Sequence, residues 1–95
     1  DQVDAIITAW CDEMENAGYF AGFYCNSDWF RNELHGAELM KKYTCWYAAW
    51  GSTTTAYPMH QFSGGTKKVA GMGCDQDYCY VNFPSIIVKG GFNGY

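Results

Sequence analysis

Two short runs constrain this chain more than anything else in it. Phe20-Ala21-Gly22-Phe23-Tyr24-Cys25 and Cys45-Trp46-Tyr47-Ala48-Ala49 have almost no polar face to offer water. Both are short, aromatic and bounded by turn formers, which marks them as buried strands, the first spanning Tyr19 to Asn26. Strands this apolar want cover on both faces, and that requirement points to the α/β class.

The remaining elements follow from spacing. Val3, Ile6, Ile7, Trp10, Met14 and Ala17 recur every three or four residues, predicting a helix stopped by Gly18. Asp4, Asp12, Glu13 and Glu15 form its solvated side. Ser27 or Asp28 can cap a short helix from Trp29 to about Leu34, and a further helical turn covers 37–42. Thr44 to Trp50 is the second strand, and 51–55 is a polar loop. Pro58 opens a third short strand, Met59 to Phe62, and Ser63 to Lys68 reads as a hairpin-type turn. A last extended stretch covers Cys74 to Tyr78, followed by Pro84-Ser85-Ile86-Ile87 and a Gly-rich end. Four short strands complete neither a barrel nor a doubly wound sheet, so the chain reads as a piece cut from a larger domain.

Composition removes several function classes. Hydrophobic residues make up 48% and aromatics 19%, too many for a disordered chain. Ten acids against six bases give a net charge of −4, the wrong sign for a nucleic-acid backbone binder. No apolar run approaches the roughly 20 residues that cross a bilayer, and no basic segment followed by an apolar one opens the chain. The five cysteines have no C-x-x-C spacing and only two histidines beside them, so a zinc site has little support and no metal or cofactor is expected. Cys11, Cys25 and Cys45 lie in apolar segments, as buried thiols do. The alternative is at least one disulfide involving Cys74–Cys79 or Cys45.

Several motifs then coincide. Asn16-Ala17-Gly18-Tyr19-Phe20-Ala21-Gly22-Phe23-Tyr24-Cys25-Asn26, with Trp29-Phe30 behind it, resembles a segment of the family 25 glycoside hydrolases, the muramidase-type lysozymes. Cys45-Trp46-Tyr47-Ala48-Ala49-Trp50 is similar to that family's LW-[IV]-A-x-[YW] strand. Met59-His60-Gln61-Phe62-Ser63 resembles its W-Q-[YF]-[ST] strand, with His60 where Trp is usual. Val69-Ala70-Gly71-Met72 and Asp75 to Tyr80 resemble its closing strand. The four motifs occur in family order over nearly the whole chain.

The resemblance implies the C-terminal half of a flattened, irregular β/α barrel of roughly 200 residues, with residues 1–95 forming part of one catalytic domain. It implies cleavage of the bond between N-acetylmuramic acid and N-acetylglucosamine in peptidoglycan. One carboxylic acid protonates the leaving oxygen while a second carboxylate stabilises the developing oxocarbenium ion. In the family a D-x-E strand carries that pair, and the first helix here corresponds to the one directly after it. The implied partners are peptidoglycan glycan strands and, for this chain, the other half of the barrel or another copy. The implied place of action is the cell wall or the exterior, although phage lysins are made in the cytosol.

Strand alternation and the resemblance together select candidate residues. Gly22, Tyr24 and Asn26 share a face, with Tyr24 and Asn26 nearest the C-terminal end, where barrel sites lie. Tyr24 either contacts a sugar or is a core aromatic with a satisfied hydroxyl. Trp46, Ala48 and Trp50 share the next strand's face, and Trp50 either stacks on a sugar ring or fills the core. Gln61, between His60 and Phe62, must bury a costly amide unless it bonds something. The resemblance places it beside the catalytic carboxylates. It makes Asp75 the family's auxiliary aspartate, with Asp77 the competing register. His60 faces away from Gln61 and reads as a packed or surface histidine. His35 reads as a helix-end cap, and Lys41-Lys42 and Lys67-Lys68 as solvated pairs. A second reading, from another class, is a non-catalytic glycan-binding or assembly module whose aromatic surface meets sugars without turning them over.

Overall fold

The computed structural model describes residues 2–95. Helix α1 (Gln2–Asn16) turns Val3, Ile7, Cys11 and Met14 to the core. That stripe is centred on Ile7 and Cys11, so Ile6 and Trp10, expected on it, lie on its flank and are exposed. Gly18 takes φ +94°, and the Tyr19 N–H reaches back to the Met14 carbonyl (2.9 Å), ending the helix where the sequence places the stop.

Strand β1 (Gly22–Asn26) begins later than expected, leaving Tyr19 to Ala21 outside the ladder. The predicted helix after it is a π-helical turn, Trp29–Glu33, in which the Leu34 N–H bonds the Trp29 carbonyl five residues back (2.8 Å). Its entry is capped by Asn26, whose Oδ1 accepts from the Trp29 N–H (2.9 Å), not by Ser27 or Asp28. His35 leads into α2 (Gly36–Met40) and is tied to the first helix: its backbone N–H donates to Asp4 Oδ1 (2.9 Å) and its Nδ1 lies against Asp4 Oδ2.

Strands β2 (Thr44–Ala48), β3 (Met59–Val69) and β4 (Met72–Cys79) complete one open four-stranded sheet in the order β1-β2-β3-β4. β1, β2 and β3 are parallel, and β4 returns antiparallel. The α/β class therefore holds, as an open sheet.

The expected turn over Ser63 to Lys68 does not form. β3 runs through it, with the register shifting between Gln61 and Ser63 and again between Ser63 and Lys67. The reversal falls instead at Ala70-Gly71, between the paired Val69 and Met72, with φ of +50° and +81°. Two residues with positive φ match the right-handed twist of the strands they join. Ala70 stands where Asn or Asp usually announces such a turn, so the sequence signal is absent.

Helix α3 (Phe83–Gly90), unassigned from periodicity, has an orderly local code. The Asn82 side chain accepts from the Ser85 N–H (3.1 Å), Pro84 lies in the first turn, and Gly91 closes the helix at φ +70°. The segment after α3 is fastened to the run between α1 and β1: Asn93 N–H donates to the Gly18 carbonyl (2.8 Å), and Asn93 Oδ1 accepts from the Phe20 N–H (3.0 Å). The Phe20 ring packs on Phe83 and Phe92, with centroids 5.8 and 5.5 Å away.

The strand register sorts side chains onto two faces. Phe23, Cys25, Cys45, Tyr47 and His60 point toward the helices, where Cys11, Phe30, Leu34, Leu39 and Tyr43 complete the core. Phe30, Tyr47 and Tyr57 form an aromatic knot there, with Tyr47 and Tyr57 stacked 3.8 Å apart. Such ring pairs contribute about 0.5–1.5 kcal/mol beyond area burial. Gly36 touches this knot, since a Cβ there would meet the Phe30 ring.

All five cysteines are free. Cys74 and Cys79 lie five residues apart on one strand, roughly 16 Å, far beyond disulfide reach. The buried thiols of Cys25 and Cys45 titrate against each other, their interaction lowering the pKa of the first and raising that of the second. They stand two register positions apart on neighbouring strands, a Cα spacing of about 8 Å and again too wide for a disulfide.

Candidate functional site

The opposite face carries Gly22, Tyr24 and Asn26 from β1, Trp46 and Ala48 from β2, Met59 and Gln61 from β3, and Asp77 from β4. Helices leave the C-terminal part of this face open. At its centre is Gln61, only 4% exposed. Its Oε1 accepts from the Tyr24 hydroxyl (2.8 Å) and from the Trp50 indole Nε1–H (3.0 Å). An indole N–H can only donate, so the atom it meets must be the amide oxygen. The Nε2 group of Gln61 is thereby turned away from both rings.

Trp50 reaches this position from beyond the end of β2. The strand stops at Ala48, and the chain is then held to β3 by Ala49 N–H to the Gln61 carbonyl (3.1 Å) and Gly51 N–H to the Phe62 carbonyl (2.9 Å). These two bonds bracket Trp50 and hold it beside β3, and Gly51, at φ +78°, turns the chain away directly after it. Trp50 therefore shares the site with Tyr24 through Gln61, while remaining 63% exposed; Tyr24 is 54% exposed. Neither ring is a core residue.

Next to them, Trp46 packs edge-on to Tyr24 with centroids 4.9 Å apart, and its Nε1–H donates to Asp77 Oδ1 (2.7 Å). Asp77 is the direct register partner of Gln61. Asp75 is exposed, and among the described residues no hydrogen bond ties it to these side chains. Of the two aspartates, the geometry brings Asp77 to the cluster and leaves Asp75 outside it.

A cleft of about 410 Å³ opens beside the cluster, lined by Tyr24, Asn26, Ser27, Asp28, Ala48, Ala49 and Trp50. Asn26 lies on its wall, although its Oδ1 is engaged by Trp29. Asp28, read from the sequence only as a cap, also lines the cleft, and Asn32 Nδ2 holds one of its oxygens (2.7 Å). Only the folded position reveals Asp28, because an Asp at a helix start has a sufficient local reason to be there. A second hollow of about 370 Å³ lies toward the other end of the strands, between the sheet and α3, and is mainly apolar; Phe20, Met59, Phe83 and Ile87 are among the residues that line it.

His60 sits on the helix side, fully buried, with its Nε2 donating to the Ala49 carbonyl (3.0 Å) and Nδ1 without a hydrogen-bond partner. It braces the backbone just before Trp50 and does not enter the cleft. Among the described residues, no group of three or more His, Cys, Asp or Glu side chains could hold a metal ion.

The open face thus offers two exposed aromatic rings, a fixed amide, the Asp77 carboxylate beside it and the Asp28 carboxylate on the cleft wall. Aromatic faces meet apolar C–H surfaces, while amides and carboxylates meet hydroxyl and amide groups, a combination suited to a polar, ring-shaped ligand. Neither a protein-family model nor a curated protein matches this chain. Among solved structures it is similar to the CTP1L endolysin, described as having its activity regulated by a secondary translation product. The likeness has a TM-score of 0.55 and 24% identity, covers 88% of this chain, and extends over 32% of the endolysin chain. The chain therefore shares its α/β fold with a portion, about a third, of an endolysin.

Proposed function

We propose that this chain is part of a peptidoglycan-hydrolysing lysin of the family 25 muramidase type. In this reading it forms the C-terminal half of a flattened β/α barrel and lines the cleft for the glycan strand. The carrying observation is the convergence of Tyr24 and Trp50 on Gln61, at the C-terminal ends of parallel strands, where barrel enzymes bind substrate. The fold likeness to an endolysin supports the same reading, as do the four ordered sequence motifs.

In this account Trp50 stacks on a sugar ring, Tyr24 and Asn26 line the cleft, and Gln61 presents its amide N–H to the substrate. Asp77, held by Trp46, takes the auxiliary place that the resemblance gave to Asp75. A carboxylate near an acid raises that acid's pKa and helps keep it protonated. The D-x-E pair that performs acid catalysis in the family has no counterpart in these 95 residues. The chain alone therefore binds glycan without hydrolysing it, and turnover between N-acetylmuramic acid and N-acetylglucosamine needs the complementary half. No helix among the described residues is long and apolar enough to cross a membrane, and the proposed place of action is the cell wall.

The test is loss of turbidity of bacterial cell walls, measured with this chain, with a chain carrying the D-x-E half, and with both. Lysis only by the pair is expected. Lysis by these 95 residues alone contradicts the proposal.

A further inference from the structure

Trp50 is 63% exposed, more than Tyr24, and one hydrogen bond does not fix a large exposed ring. What backs it is Gly64. A Cβ on Gly64 would come within 2.6 Å of indole Cε2 and closer still to Cζ2 and Cη2, so the ring lies flat against the bare backbone of β3. No φ requirement explains this glycine, because Gly64 is not among the glycines with positive φ. Its neighbour Gly65 has φ +78° and nothing within 4 Å of its Cβ position. The two glycines thus have separate reasons: Gly65 shapes the strand irregularity, and Gly64 leaves room for an indole.

We infer that Gly64 is a positioning residue, the seat that holds Trp50 in the cleft, and that it acts on ligand only through that ring. This rests on the glycan-cleft reading for its effect on binding, but not for its effect on the indole. The seat and the Gln61 bond act as two constraints at right angles: the strand backbone sets the plane of the ring, and Oε1 sets its rotation within that plane. A methyl group at position 64 removes the first constraint. Because Trp50 is exposed and follows a strand end, the ring can swing outward without disturbing the core, so Gly64→Ala displaces one side chain and leaves the fold intact.

The experiment compares wild type, Gly64→Ala, Trp50→Phe and the double variant, using the full chain. The indole N–H resonance of Trp50, assigned by its absence in Trp50→Phe, reports the seat without any ligand. Titration with a soluble N-acetylglucosamine tetrasaccharide reports the consequence. In Gly64→Ala the Trp50 resonance is expected to move to a solvent-exposed position, while the other three indole signals and the thermal midpoint stay near wild type. Tetrasaccharide affinity is expected to fall about fivefold or more, the scale of a truncated interface residue. In the Trp50→Phe background the same glycine substitution is expected to cost little, since a coupled pair is not additive. An unmoved Trp50 signal in Gly64→Ala overturns the inference. A moved signal with equal affinity loss in both backgrounds overturns the claim that Gly64 acts through Trp50. If no variant and not the wild type binds the tetrasaccharide while the resonance moves as expected, the seat stands and the glycan-cleft reading falls.

Discussion

Replacing Gln61 by Leu separates a structural role of the site from a binding role. The amide oxygen accepts two neutral hydrogen bonds, at 2.8 and 3.0 Å, each worth about 1 kcal/mol net, so their loss removes up to roughly 2 kcal/mol. Two effects oppose this. The donors on Tyr24 and Trp50 belong to rings more than half exposed, so water can satisfy them and neither becomes a buried orphan. A leucine of similar volume in a site only 4% exposed also contributes about 1.5–3 kcal/mol of apolar burial that the amide does not. The sum places Gln61→Leu within about 1 kcal/mol of wild type in stability. Urea unfolding followed by near-ultraviolet circular dichroism measures this, and a tetrasaccharide titration on the same samples measures binding, which is expected to fall at least tenfold. A destabilisation above about 3 kcal/mol, the size expected for disrupting a buried network, would instead make Gln61 a structural keystone of the sheet. Unchanged binding would remove it from the site.

Other consequences are independent of the glycan reading. Ala70 sits at φ +50°, a conformation that costs an L-residue about 1 kcal/mol, so Ala70→Asn is expected to stabilise the chain by about 0.5–1 kcal/mol. That corresponds to a rise of a few degrees in thermal midpoint; a lower midpoint counts against the turn described. Hydrogen bonds from His35 hold the Asp4 carboxyl below its ordinary value of 3.8. This contribution is present above that value and is lost as the pH falls through the lower folded value, so the midpoint of Asp4→Asn should depend less on pH between neutrality and strong acid. The Tyr43 hydroxyl donates to Asp12 Oδ1, and this bond, with burial, pushes its pKa from 10.0 up to about 12. A raised acid stabilises the fold below the unfolded value, so this contribution is lost as the pH rises from 10.0 to about 12. Burial also raises the Tyr57 hydroxyl, so ultraviolet titration should show more than one tyrosine ionising late, and Tyr43→Phe should reduce their number by one.

The sequence reveals the parts of this fold whose causes are local. The apolar runs through Phe23 and Tyr47 cannot rest in water on either side, so the parallel strands under the helices are legible. Gly18 is legible because a helix needs a left-handed residue to stop. The hairpin is not legible, because Gly64-Gly65-Thr66 looks like a turn until Trp50, distant in sequence, supplies a reason for Gly64 to lie within a strand. Helix α3 was readable from Asn82, Pro84 and Gly91, although eight residues carry too little periodicity to announce it. In the candidate site, alternation put Tyr24 and Asn26 on one strand face and Gln61 opposite His60. The link between Tyr24, Gln61 and Trp50 depends on a backbone turn after Ala48 that no periodicity encodes. The choice between Asp75 and Asp77 depends on the β3–β4 register, which the extra residues around Phe62 and Gly64 shift in a way that spacing alone does not report.

The most direct measurement mixes this chain with purified peptidoglycan glycan strands, following tryptophan fluorescence for binding and new reducing ends for cleavage. Saturable quenching that is lost in Tyr24→Ala and Trp50→Ala is expected, with no reducing ends released. Reducing ends produced by this chain alone, or quenching that survives both substitutions, would contradict that expectation.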